Sequence, residues 1–132
     1  MSVLLPFELY GDLLPVPYLR KGRTLAGLDC VGVFLEIQHR LGRTLPAYES
    51  DPEILESYLG EWARVETPEP GDAILIYSYD PAWHVGTVIS LNSFIHGKDG
   101  VGVVVERYDR PEFSRRIEGF YRWKLQASDQ SR

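Results

Sequence analysis

Two periodicities divide the chain. Between residues 29 and 60 apolar positions recur at helical spacing, with Val33, Phe34, Ile37 and Leu41 on one stripe and Cys30 on the same side. Asp29 stands at the N-cap position and Gly42 at the stop, so the spacing predicts a helix that starts at Cys30. A second short helix is predicted from Asp51-Pro52, with Pro at N1, Glu53 in the first turn, and Ile54, Leu55, Tyr58 and Leu59 on its buried side. From Pro68 onward the texture changes. The turn chemistry of PEPGD is followed by the β-rich runs AILIYSY, HVGTVISL, FIHG, VGVVVERY and GFYRWKL. Residues 1 to 28, rich in Pro and Gly, read as an irregular or partly helical lead-in. Helices first and strands afterwards predict an α+β domain, with an antiparallel sheet packed on the cysteine helix.

Composition narrows the function classes. A chain of 132 residues is expected to form one domain spanning 1–132, with its core at about 15–125 and a polar tail at 126–132. The net charge of -5 with scattered basic residues gives no electrostatic footprint for a nucleic-acid backbone. No apolar run approaches the roughly 20 residues of a membrane-spanning helix. MSVLLPFELYGDLLP has no basic leader region and carries Glu8 and Asp12, so no secretory signal is expected. A single cysteine excludes an internal disulfide and a cysteine-cluster zinc site.

That cysteine is the first candidate for chemistry. In the first turn of a helix capped by Asp29, the Cys30 sulfur would meet partial positive charge that stabilises a thiolate. The competing reading is a core residue, since free cysteine is among the most buried residue types.

Of the three histidines, His39 falls near the helix end and reads as a surface residue that favours the helix dipole. His84 opens one strand and His96 closes the next, twelve residues later. With a three-residue loop, Ser90-Leu91-Asn92, Ile89 faces Ser93 and Gly86 faces His96. The two histidines then share a face as diagonal neighbours, roughly 7–8 Å apart at Cα, and Gly86 leaves room for the rings. A two-residue turn would put them on opposite faces.

Thiolate attack on an amide needs a base to take and return the proton, and a polar group to orient that base. Cys30, His84 and His96 meet that need if the Cys30 sulfur approaches an imidazole nitrogen of His84. Side chains on opposite sides of the sheet would exclude it. Strand-end histidines with ordinary hydrogen bonds, and a metal site of two histidines and a carboxylate, are the alternatives; no carboxylate has an obvious ligand spacing. Trp62, Trp83 and Trp123 read as core or cleft walls, Ile74, Ile76, Val103 and Val105 as sheet interior, and the charged run ERYDRPEFSRR as a solvated loop.

GLDCVGVF resembles the cysteine motif of the NlpC/P60 cell-wall peptidases, PEPGDAILI their Pro-Gly-Asp turn, and HVGTVISLNSFIHG their histidine strand with its orienting residue. VPYLRKG resembles the segment that carries a tyrosine near the catalytic cysteine. The likeness spans roughly residues 15 to 125. It implies a papain-like NlpC/P60 fold with no cofactor. Cys30 is then the nucleophile, His84 the general base and acid, and His96 the orienting group. Tyr18 is implied as a substrate or oxyanion contact, with the backbone N–H of Cys30 as a second oxyanion donor. Asp29, Val31 and Trp83 are expected to complete the substrate site.

Two departures bear on specificity: Val31 replaces the serine usual in bacterial wall enzymes, and Arg20-Lys21-Gly22 replaces the common Trp-Gly-Gly. GRTLPAY and the RIEGFYRWKL ending resemble the phage-tail branch of the family. The resemblance implies hydrolysis of peptidoglycan stem peptides, at the γ-D-glutamyl–diamino-acid bond, by a virion tail component that contacts tail-tip or hub proteins and is made in the host cytoplasm. The alternatives are a structural tail-tip protein without turnover, or a cytoplasmic thiol amidase or acyltransferase acting on another amide.

Overall fold

The computed structural model describes residues 4–43, 45, 61–78 and 83–124, with the Trp83 side chain excepted. The predicted helix from Asp51 and the polar tail lie outside the described residues. Two 3-10 turns, Phe7–Leu9 and Gly11–Leu13, open the lead-in, and a two-stranded ribbon of β1 (Arg23–Thr24) and β2 (Gly27–Leu28) closes it. Helix α1 (Cys30–Arg40) follows. Strands β3 (Trp62–Val65), β4 (Ala73–Tyr77), β5 (Trp83–Val88), β6 (Ser93–Lys98) and β7 (Gly102–Arg107) come next, then a short helix α2 (Pro111–Ser114) and β8 (Ile117–Trp123). The long strands form one antiparallel sheet in the order β3-β8-β4-β5-β6-β7.

Helix α1 forms where the stripe and caps place it. The Asp29 carboxylate accepts the Gly32 N–H at 2.8 Å, and Gly42, at φ +84°, takes the left-handed position that ends the helix. The buried side of α1 (Cys30, Val31, Val33, Phe34, Ile37) packs on one face of the sheet. There it meets Leu75, Val85, Trp123 and, toward the lead-in, Ile95 and Val103. Because strand side chains alternate, the next residues build a second core on the far face, where Ile74, Ile76, Val88 and Phe94 pack against Tyr108 and Phe113.

Three expectations change. β3 extends the sheet at Trp62–Val65, where no strand was predicted. The charged run is no solvated loop: Glu106 and Arg107 end β7, Tyr108 and Phe113 are buried, and Pro111 sits in the first turn of α2. Val105 is 39% exposed, because β7 is the open edge of the sheet, whereas Ile74, Ile76 and Val103 are interior as expected. Among the described residues no helix is long and apolar enough to cross a membrane.

Candidate active site

The β5–β6 hairpin has the odd-length loop. Val88 pairs with Phe94, Thr87 with Ile95, and the Ile89 N–H donates to the Ser93 carbonyl at 3.0 Å across Ser90-Leu91-Asn92. His84 and His96 therefore emerge on the same face, and His84 Nε2 lies 2.6 Å from His96 Nδ1. The space over Gly86 is used differently from the expectation. A Cβ there would lie 2.6 Å from Cδ2 of Phe94, so the missing side chain makes room for the phenyl ring, on which the His96 imidazole stacks at 4.3 Å.

On its other side, His96 Nε2 meets Glu106 Oε1 at 3.0 Å, and Lys98 Nζ lies 3.2 Å from the same oxygen. Glu106 is the residue that the sequence reading missed. It stood inside the charged run, and only the β6–β7 register, with Phe94 opposite Glu106, brings it to His96. Two histidines and a carboxylate do meet, but in a row: the facing ring nitrogens are bonded to one another instead of converging on a common point. Among the described residues no group of three or more His, Cys, Asp or Glu side chains is arranged to hold a metal ion.

Burial is the largest influence on both imidazoles and pushes them below the ordinary 6.5. The neighbouring His96 and Arg116 add to this for His84, and Lys98 for His96. The pair is neutral at pH 7.

Cys30 opens α1 and is buried. Burial raises its thiol to about 11, against the opposing pull of the Val85 and Val31 backbone amides; the Asp29 carboxylate raises it further. The thiolate is therefore not preformed at rest. No hydrogen bond joins the sulfur to His84 among the described residues, and alternation puts the two on different faces. His84 pairs with Ile76 on the far face, whereas Val85 and Leu75 face the helix.

The sheet is not continuous between them, however. Val88 exchanges backbone hydrogen bonds with Gly71 and Asp72 on the β4 side, so the Val85 N–H, three residues back, points toward β6. There the β5–β6 pairing has already ended, at Thr87↔Ile95, although both strands run on. The ladder acceptor for Val85 would be Gly97. Instead the helix start wedges in: a Cβ on Gly97 would lie 3.0 Å from the Asp29 carbonyl oxygen. The Cys30 sulfur sits against the freed Val85 amide. The thiol thus borders a gap in the β5–β6 ladder, whereas His84 stands on the other face of β5, so the expected approach of the sulfur to the imidazole is not present in this structure.

The remaining expected site residues divide. The Tyr18 hydroxyl is pushed up to about 12 by burial and then by Cys30 and Asp29, so it lies in the same neighbourhood. The Asp29 carboxylate is engaged within the protein. The residue is 4% exposed, and its carboxylate is taken by the Gly32 N–H, the Lys21 N–H at 3.1 Å and Arg23 at 2.6 Å. Val31 is fully buried in the apolar cluster with Phe34 and Trp62, because the second residue of α1 faces the core. Trp62 and Trp123 are core residues packed edge to face at 5.1 Å; the Trp83 side chain lies outside the described residues. His39 is exposed near the helix end, as expected.

A comparison with protein-family models gives no match. The murein DD-endopeptidase MepS/murein LD-carboxypeptidase of Escherichia coli K12 is 28% identical over 110 residues, covering 81% of this chain and 55% of that protein. The proteins of the same name from strains O6:H1 and O157:H7 match equally. The chain thus spans about half the length of these curated relatives. Among solved structures, a lipoprotein-like protein of the NLP/P60 family from Staphylococcus aureus Mu50 superposes with a TM-score of 0.68 at 18% identity, covering 89% of this chain and 40% of that one. An NlpC/P60 family protein from Bacillus cereus gives 0.67 at 22%, covering 84% and 36%. The NlpC/p60 domain of the peptidoglycan hydrolase SagA gives 0.63 at 22%, covering 86% and 91%. The fold is therefore the papain-like α+β fold of NlpC/P60 proteins.

Proposed function

We propose that this chain is a cysteine peptidase that hydrolyses an amide bond of peptidoglycan stem peptides. The observation that carries the reading is the His84–His96–Glu106 row, carried on the sheet against which the Cys30 helix packs, within an NlpC/P60 fold. Cell-wall activity is supported by the names of the relatives, a murein endopeptidase and a peptidoglycan hydrolase.

In this mechanism the thiol, neutral at rest, gives its proton to His84 Nδ1 as the sulfur attacks the scissile carbonyl. His96 holds the ring through Nε2. The tetrahedral oxyanion is received by the backbone N–H of Cys30 and the Tyr18 hydroxyl. His84 then protonates the leaving amine, the C–N bond breaks, and water releases the acyl group from sulfur with the same histidine as base. The sulfur–imidazole contact is absent at rest, so this mechanism requires substrate binding to bring the two side chains to one side of β5. The γ-D-glutamyl–diamino-acid bond is the scissile bond implied by the sequence resemblance, and the relatives' names point to the D,D and L,D bonds. The tail-component role rests on the GRTLPAY and RIEGFYRWKL likeness.

Purified protein is expected to release stem-peptide fragments from cell walls, and a panel of defined muropeptides assigns the bond by mass spectrometry. Cys30→Ala abolishes release while circular dichroism stays native. Undiminished release by that variant sinks the nucleophile assignment. One observation favours a second reading, a structural tail protein without turnover: the thiol is buried, raised to about 11 and not bonded to His84. That reading expects no release and slow alkylation by iodoacetamide, and rapid alkylation below pH 7 overturns it.

A further inference from the structure

We infer that Glu106 is a positioning residue that selects the tautomers of both histidines, so that the outer, unprotonated nitrogen of the row is Nδ1 of His84, the nitrogen left free to accept a proton. The inference deepens the proposed hydrolase reading and takes its meaning for catalysis from it, but its structural content stands on the row of side chains alone.

An ionised carboxylate only accepts hydrogen bonds. His96 Nε2, 3.0 Å from Glu106 Oε1, must therefore carry a proton and donate it. A neutral imidazole has one N–H, so His96 Nδ1 is left as a lone pair. The 2.6 Å contact between that nitrogen and His84 Nε2 then requires the proton to be on His84 Nε2. With its single proton placed there, His84 keeps a lone pair at Nδ1. One carboxylate thereby settles the proton positions of two rings, and the second ring is left with the unprotonated nitrogen that a general base requires.

The surroundings hold this arrangement. His96 is 2% exposed, its ring is fixed against Phe94 at 4.3 Å, and Phe113 meets it edge-on at 5.9 Å. The Lys98 ammonium pairs with Glu106 from the same strand as His96. The charged groups that face the pair are Lys98 on β6, Glu106 on β7 and Arg116 after α2. Of these, only Glu106 accepts a hydrogen bond from the pair.

The test uses the full chain labelled with ¹⁵N-histidine, whose imidazole nitrogens report protonation directly by long-range ¹H–¹⁵N correlation. The wild type is expected to show His84 and His96 both as Nε2–H tautomers at neutral pH. A proton on Nδ1 of His84 overturns the inference without recourse to any variant. Glu106→Gln retains a carbonyl acceptor toward His96 and keeps the wild-type pattern. Glu106→Leu removes the acceptor and converts both rings to mixed tautomers, while the fold is verified from the amide spectrum. If the Leu variant is folded and its tautomers are unchanged, Glu106 has no positioning role. If it is unfolded, the Gln variant and the wild-type pattern decide.

In the hydrolysis assay, the Leu variant lowers kcat by at least about tenfold with KM nearly constant, and the Gln variant recovers most of the loss. A wild type with the expected tautomers but no hydrolysis refutes the proposed function and leaves the role of Glu106 standing. An active wild type with the opposite tautomers does the reverse.

Discussion

At the scale of single residues, the site is built by side chains that give up one role to serve another. Asp29 looks like a substrate ligand in the sequence, yet its carboxylate is spent on holding the N-terminus of α1 and the preceding loop together. That loop carries a cost of its own. Lys21 adopts φ +62°, a conformation that favours glycine, and in it donates its N–H to Asp29. The residue falls within Arg20-Lys21-Gly22, where the family resemblance expects Trp-Gly-Gly, and the strain explains why glycine suits the middle position. A left-handed residue with a Cβ costs about 1–2 kcal/mol, partly offset by the greater freedom of an unfolded glycine. Lys21→Gly is therefore expected to stabilise the protein by about 0.5–1 kcal/mol, read from the midpoint of urea denaturation. A lower midpoint would show that the Lys21 side chain contributes more than its backbone costs.

At the scale of elements, helix α1 and the β5–β6 hairpin were legible in the sequence because their signals are local. A stripe with a cap and a stop defines the helix, and the strands of the hairpin are plain in the sequence, although its loop length, and with it the shared face of the histidines, is decided only by the observed register. β3 was not legible: its four residues carry little pattern, and it exists because β8, more than fifty residues away in the chain, pairs with it. Glu106 was lost for the same reason, since a charged residue beside Arg107 reads as solvent-facing until β6 is laid beside it. The relation of Cys30 to His84 is a step harder, because no local rule says where a ladder will open.

What fixes α1 against the strands that frame that opening is Gln38, fully buried on the helix. Its Nε2 donates to the Gly71 carbonyl at 3.1 Å and reaches Thr87 Oγ1 on β5 at 3.4 Å, while its Oε1 accepts from Arg43 at 2.5 Å. Gln38→Leu conserves bulk but strips the half-buried Arg43 and the buried Thr87 of one partner each. It is expected to cost about 1–3 kcal/mol. Equilibrium denaturation measures the loss, and a neutral result would mean that those groups find other partners.

At the scale of the whole molecule, the far-face core and the candidate site share the same histidines, which ties the stability of the fold to the state of that site. Both imidazoles are held below 6.5 when folded, chiefly by burial. The unfolded chain thus binds more protons than the folded one once the pH drops below that value, and stability must fall as the pH is lowered. The carboxylates whose folded state is lowered, Asp12 and Asp109, start from 3.8 and sit in exposed pairs with Arg40 and Arg107. They act at lower pH and are screened by solvent. Between neutrality and about pH 4.5 the histidines therefore dominate the slope. The melting temperature is expected to decline across that interval, and His96→Asn, which removes one titrating ring and retains a polar side chain, to flatten the decline even if it lowers the starting value. An unchanged slope in that variant would place the acid sensitivity elsewhere. Because the paired rings resist protonation while the fold stands, the acid limit of any hydrolase activity should follow the loss of folded protein, with circular dichroism and turnover falling together. Turnover that fell well before the fold did would mean that His84 titrates in the native state.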